Sequence, residues 1–210
     1  PDRLFQRIVY PEAGLAGDNI SVLRGKRRLL WVSSGVVAVG CLVVTAGSTM
    51  QDIVTSVQQV TTLGMKRVAV MYQDDGFGKA GLEGVERALG KRGLTLTVAA
   101  PYERNTDQVD DAVKTIRASD AQAVIMISVN RSTSAFIRRY REAGGGAQLY
   151  NISVVDPAEI VKLAGLKHAH GLGVSQVVPY PFMPAMPVVR EYQRLLKQYA
   201  PNELVNYTSF

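Results

Sequence analysis

Gly76, Gly78 and Gly81 stand at the spacing G-x-G-x-x-G, just after an apolar run and at the head of a helical one. In that setting the pattern reads as a dinucleotide fingerprint. Its glycines let the backbone approach a pyrophosphate, and a helix N-terminus offers amide N–H groups to it. Glu103 lies near where a ribose-binding carboxylate belongs. The chemistry would be hydride transfer by a nicotinamide-dependent oxidoreductase. Asp74 and Asp75 speak against it, because both carboxylates directly precede Gly76. Negative charge there repels a pyrophosphate and favours the helix N-terminus itself. No acid–base pair follows downstream. The other reading is a strand-to-helix turn that contains glycine.

Other reactive groups are sparse. His168 and His170 are the only histidines, two apart in an expected loop with no cysteine near them. That is a poor start for a metal site. No G-x-S-x-G, phosphate-binding Walker loop or HExxH occurs. Ser132 and Ser153 are conceivable nucleophiles, but neither has a local base, and a helix cap or a strand-end hydroxyl suits them better. The N-x-[ST] matches at Asn19, Asn130, Asn151 and Asn206 include one inside an expected core strand, so they read as coincidence. The expectation is a non-enzymatic protein that uses no cofactor.

Composition narrows the class. Of 210 residues, 47% are hydrophobic and 20% charged, the balance of an ordinary globular protein. The net charge of +6 owes much to one run, Arg24-Gly25-Lys26-Arg27-Arg28. Nucleic-acid binding needs bases clustered with aromatics on a folded domain, and that pattern is missing. A lone cysteine, Cys41, excludes an intramolecular disulfide and a cysteine-rich metal site. The chain opens on Pro1 and stops at Phe210 within a patterned segment, which reads as a fragment.

Residues 29–51 carry no charge and follow the basic run, like a signal peptide or membrane anchor. Two alternatives stand beside that reading. Val36–Val44 has the composition of a buried strand, or residues 1–47 are not authentic domain sequence. They are expected to lack strand–helix alternation and to pack poorly on the rest of the chain.

From about residue 48 the pattern is regular. Ile53, Val57, Val60 and Leu63 recur at helical spacing, with Gly64 as the stop. Strands are expected at Arg67–Tyr72, Leu94–Ala100, Ala123–Val129, Leu149–Val155 and Gly171–Val178. Apolar stripes through Leu82–Leu89, Val109–Ile116 and Phe136–Tyr140 mark helices between them. Asp156 and Pro157 announce a short helix, and Val189–Tyr199 a last one. Continuously apolar strands separated by single helices predict a doubly wound α/β fold: a five-stranded, mainly parallel sheet with helices on both faces.

The series KRVAVMYQDDGFGKAGLEGVERAL, YERNTDQVDDAVKTIRASDAQAVIMISV, FIRRYREAGGGAQLY, DPAEIVKLAG and GVSQVVPYP resembles the leucine/isoleucine/valine-type (type I) periplasmic binding proteins that feed ABC importers. The resemblance covers about residues 48–210. It implies one lobe of a two-lobe fold, with residues 48–178 as the second lobe. Residues 179–210 would be the hinge and the start of the return to the first lobe, with Gln176, Val178 and Pro179 at the hinge. It implies a periplasmic protein, a small-molecule ligand and a membrane permease as partners. A ligand-sensing regulatory or receptor domain on the same fold is the runner-up.

Family ligand contacts map onto three loops: Asp75, Gly76 and Phe77; Val129, Asn130 and Ser132; Ser153 and Asp156. Phe77 matches the aromatic that leucine-binding relatives place in the first loop. Around the place of the family's third-loop tyrosine this chain has Val129 and Asn130, a departure, and Ser153 stands where the resemblance implies the glutamate that pairs with the substrate's ammonium. Without that carboxylate the charge-assisted bond that selects an amino acid is lost. Phe77, Asn130 and Ser153 are therefore expected to line a hydrogen-bonding half-cleft with an aromatic wall.

Overall fold

The computed structural model describes residues 50–207. The signal, anchor, strand and non-authentic readings of residues 1–47 lie outside the described residues. The chain divides into two units, Pro1–Ala46 and Gly47–Phe210, and the described residues all belong to the second.

Helix α1 runs through residues 50–62. Ile53, Val57 and Val60, all fully buried, form one stripe at helical spacing. The chain then alternates: β1 (Val68–Gln73), α2 (Gly76–Gly90), β2 (Leu96–Tyr102), α3 (Asp110–Ala118), β3 (Ala123–Ile127) and α4 (Asn130–Glu142). Next come β4 (Gln148–Asn151), α5 (Pro157–Ala164), the one-turn α6 (Leu166–Ala169), β5 (Gly173–Val174) and α7 (Pro187–Tyr199). The five strands form one sheet in the order β2-β1-β3-β4-β5. Every pairing is parallel, with Gln73 opposite Tyr102, Tyr72 opposite Ile127, and Met126 opposite Asn151.

Two apolar layers sandwich the sheet because successive strand residues point to opposite faces. Val68, Val70, Ile125 and Ile127 join α1 and α2 on one face, through Ile53, Val57, Val85 and Leu89. Ala69, Met71, Val124 and Met126 meet α3, α4 and α5 on the other, through Ile116, Phe136, Ile137 and Ile160. β1 and β3 sit centrally and are buried almost throughout, which explains their apolar sequences, broken only at the carboxyl end of β1 by Gln73. The expected five-stranded parallel fold is the one found.

Three strands fall short of their sequence signals, β3 by only two residues, since it ends at Ile127 and not at Val129. The β4 strand stops at Asn151, whose side-chain Oδ1 accepts from the next amide, Ile152 N, at 2.9 Å and bends the chain away. Val155 reaches the core separately, 2% exposed. The β5 strand keeps only Gly173–Val174 of the expected Gly171–Val178. Among the described residues it is an edge strand with β4 as its one neighbour. Gly171 at φ +79° starts it with a turn, and Gly173 is pressed on Tyr150, where a Cβ would come within 2.6 Å of the ring.

Candidate functional site

Chain order places the site. From β1 the chain moves to β2 on one side, then crosses to β3 on the other. The carboxyl ends of β1 and β3 therefore open side by side, and such a reversal of direction is where open parallel sheets bind ligands. The loops after β1, β3 and β4 all emerge on this edge. The first described turn of α1 reaches the same edge, where Asp52 meets Ser153.

The loop after β1 is held by Asp75. This residue is the N-cap of α2: its Oδ1 accepts from Gly78 N at 3.0 Å. Its Oδ2 accepts from Gln73 Nε2 at 2.6 Å and lies 3.7 Å from Arg104 Nε. Tyr102, at the end of β2, donates its hydroxyl to Gln73 Oε1 at 3.1 Å. The Gly78 amide, then Gln73 and Arg104, hold the Asp75 carboxyl below the ordinary carboxylate range, outweighing the burial that opposes them. Burial pushes the Tyr102 hydroxyl upward. Asp74 pairs with Lys79 at 2.8 Å.

This geometry accounts for the glycine pattern without a nucleotide. A Cβ on Gly78 would stand 1.9 Å from the Gln73 carbonyl oxygen, and one on Gly81 would stand 2.8 Å from Ile127. Both glycines let α2 seat on the sheet. Gly76, which a dinucleotide turn would need most, has open space around its Cβ position and no left-handed φ. The Gly78 amide that a pyrophosphate would use is already taken by a carboxylate.

The loops after β3 and β4 are tied to each other. Asn130 opens α4 and its Oδ1 accepts from Asp156 N at 2.9 Å. Asp156 caps α5 by accepting from Ala158 N at 2.8 Å. Beneath them Ser128, Thr133 and Asn151, all fully buried, share one network: Ser128 Oγ to Thr133 Oγ1 at 2.6 Å and Asn151 Nδ2 to Thr133 Oγ1 at 2.7 Å. Ser153 donates through its backbone N–H at 3.3 Å and through Oγ to one oxygen of Asp52, in the first described turn of α1.

The sequence-expected residues thus divide. Asn130, Ser153 and Asp156 belong to two linked loops on the carboxyl edge. Phe77 is half-buried and packs on the apolar cluster of α1 and α2. Gly76 and Val129 are exposed on the same edge. Ser132 is no helix cap: Val129 occupies the cap position of α4 without a side-chain bond. Ser132 is buried, and its Oγ donates to the Thr106 carbonyl at 3.0 Å, bracing the loop after β2. Past β5 the chain is irregular through Gln176, Val178 and Pro179 until α7, and Gln176 Nε2 is buried without an acceptor among the described residues.

Sequence reasoning missed Gln73, Ser128, Asn151 and Asp52, and placed Tyr102 at the start of a carboxyl-end loop without giving it a role. All but Asp52 share a signal: each is a polar group at, or one residue beyond, the carboxyl end of a strand. Asp52 offered none, because its partner lies 101 residues away. A recess of about 210 Å³ at this edge is bounded by Asp74, Pro101, Tyr102 and Glu103. A larger one, about 280 Å³, lies away from the β1–β3 crevice, between α1 and the β5 edge.

A sequence model of the family described as periplasmic binding protein matches residues 8–209, starting well upstream of residue 48. No protein of curated function matches the chain. A substrate-binding periplasmic protein from Ralstonia solanacearum is 34% identical with a TM-score of 0.70, over 76% of this chain and 46% of that one. A possible leucine/isoleucine/valine-binding protein from Rhodopirellula baltica is 26% identical with a TM-score of 0.72, over 77% and 45%. An extracellular ligand-binding receptor from Verminephrobacter eiseniae is 28% identical with a TM-score of 0.66, over 77% and 46%. The chain matches less than half the length of each of these structures.

Proposed function

The chain belongs to the periplasmic binding protein family, and from that premise we propose that it captures a small metabolite for an ABC importer. The ligand is a small polar or amphipathic molecule: an amino acid, an amide or a carboxylate. It is held in an interlobe cleft, of which the carboxyl edge of this sheet is one wall. The observation that carries the reading is the convergence of the loops after β1, β3 and β4 on one edge. There the Asn130–Asp156 bond fixes two of them relative to each other.

The wall has the mixed character such a ligand needs. Asn130 and Ser153 supply hydrogen-bonding groups, Phe77 and Val129 apolar area, with Asp75, Gly76 and Asp156 beside them. Ser132 acts from behind, through Thr106. Gln176, Val178 and Pro179 form the hinge in this reading. The exposed apolar side chains after it, Tyr180, Phe182 and Met186 among them, suit a segment that packs on another lobe. A wall of one lobe is shallow by construction. The protein acts in the periplasm and hands its ligand to a permease of the inner membrane.

The test is thermal-shift screening of the full-length protein against amino acids, amides and carboxylates, followed by calorimetry on the hits. A saturable one-to-one ligand with micromolar or tighter affinity is expected. Absence of binding in all three classes would contradict the proposal.

A further inference from the structure

Ser153 has one hydroxyl proton, and it is committed. Its Oγ–H and its backbone N–H both point to the same oxygen of Asp52. A carboxylate only accepts hydrogen bonds, whereas a serine hydroxyl carries one donor and two acceptor lone pairs. With the proton directed at Asp52, what Ser153 Oγ retains for anything else is acceptor capacity. Asp52 is 3% exposed, so it stands behind Ser153, while Ser153 itself is half-buried. The negative charge behind the hydroxyl strengthens it as an acceptor and disfavours a second anion in front of it.

The geometry points to Asp52 as a positioning residue that sets the ligand class by polarising Ser153. The group met at Ser153 is an N–H donor, an ammonium or a primary amide, and not a carboxylate. This rests on the carboxyl edge being the ligand wall. It goes further in choosing among the three ligand classes and in giving the choice to a residue of α1. The negative charge lies one side chain behind the hydroxyl that the ligand meets.

Matched ligands on two scaffolds test this with the full-length protein: isoamylamine, isocaproamide and isocaproate, and benzylamine, benzamide and benzoate. Calorimetry should give the amine or the amide at least tenfold tighter binding than the carboxylate on the same scaffold. The amine and amide arms tell which donor is used. In Asp52→Asn the neutral amide can donate as well as accept, so the Ser153 proton is released to face outward. The donor-over-carboxylate ratio should then fall at least fivefold, with the carboxylate gaining affinity. Ser153→Ala should flatten the ratio too.

A purely structural Asp52 would weaken all six ligands alike and leave the ratio unchanged, which overturns the proposal. So does a wild-type preference for carboxylates, and that result leaves the receptor reading standing. Binding of none of the six would count against both.

Discussion

Replacing Asp75 with alanine removes three things that can be counted separately. The first is the N-cap bond to Gly78, worth about 0.5–2 kcal/mol. The second is the acceptor for Gln73 Nε2. Gln73 is 5% exposed, and a buried donor left unpaired costs about 1–3 kcal/mol. The third is the 3.7 Å pair with Arg104, whose side chain is 65% exposed and contributes about 0–1 kcal/mol. Some overlap is expected because the first two share one carboxylate, so Asp75→Ala should destabilise by about 2–4 kcal/mol. Asp75→Asn keeps an acceptor for Gly78, and its amide can satisfy Gln73 once that side chain flips, so it should cost about 1 kcal/mol. Urea unfolding of the whole chain at pH 7 reads both. The pH dependence adds a sign. The folded-state pKa of Asp75 is lowered from 3.8, so its contribution is complete above the unfolded value and is lost as pH falls through the folded one. The gap between wild type and Asp75→Asn should be flat from neutral pH to about pH 5 and close in stronger acid. An alanine variant within 0.5 kcal/mol of wild type, by the precision at which such surface changes blur, would refute the reasoning.

The glycines make a paired prediction. Gly78→Ala drives a Cβ to within 1.9 Å of a backbone oxygen and should cost about 3 kcal/mol or more, whereas Gly76→Ala meets nothing and should be neutral or slightly stabilising. Thermal melts decide, and equal sensitivity at both positions would contradict the packing account. Thr133→Val strips the shared partner from buried Ser128 and Asn151 and should cost about 2–4 kcal/mol in the same assay. A change below 0.5 kcal/mol would mean the network is not what holds α4 to β4. NADH fluorescence should be unchanged on adding the protein, since Asp75 holds the Gly78 amide; saturable enhancement would restore the dinucleotide reading.

Much of the fold was legible because burial and periodicity agree in it. The runs at residues 68–71 and Ala123–Ile127 are apolar throughout because both strands are central and covered on both faces. Asp156 and Pro157 announced α5 through local chemistry alone, a cap and a fixed φ. The strand ends were harder. The β5 strand is shorter than its valines suggest because an edge strand gains hydrogen bonds on one side only, which the composition of residues 173–178 does not reveal. The site was legible by loop and not by atom. That Asn130 answers Asp156, Tyr102 answers Gln73, and Ser153 answers Asp52 depends on sheet order, since these partners lie 26, 29 and 101 residues apart.

The most direct test of the account is amide hydrogen exchange along the chain, with and without a saturating ligand found by the thermal-shift screen. Slowed exchange should gather in the segments after β1, β3 and β4, around Phe77, Asn130 and Ser153, with the opposite edge of the sheet unchanged. Protection confined to the recess beside β5, or to the amino ends of the strands around Arg67 and Gln122, would contradict it.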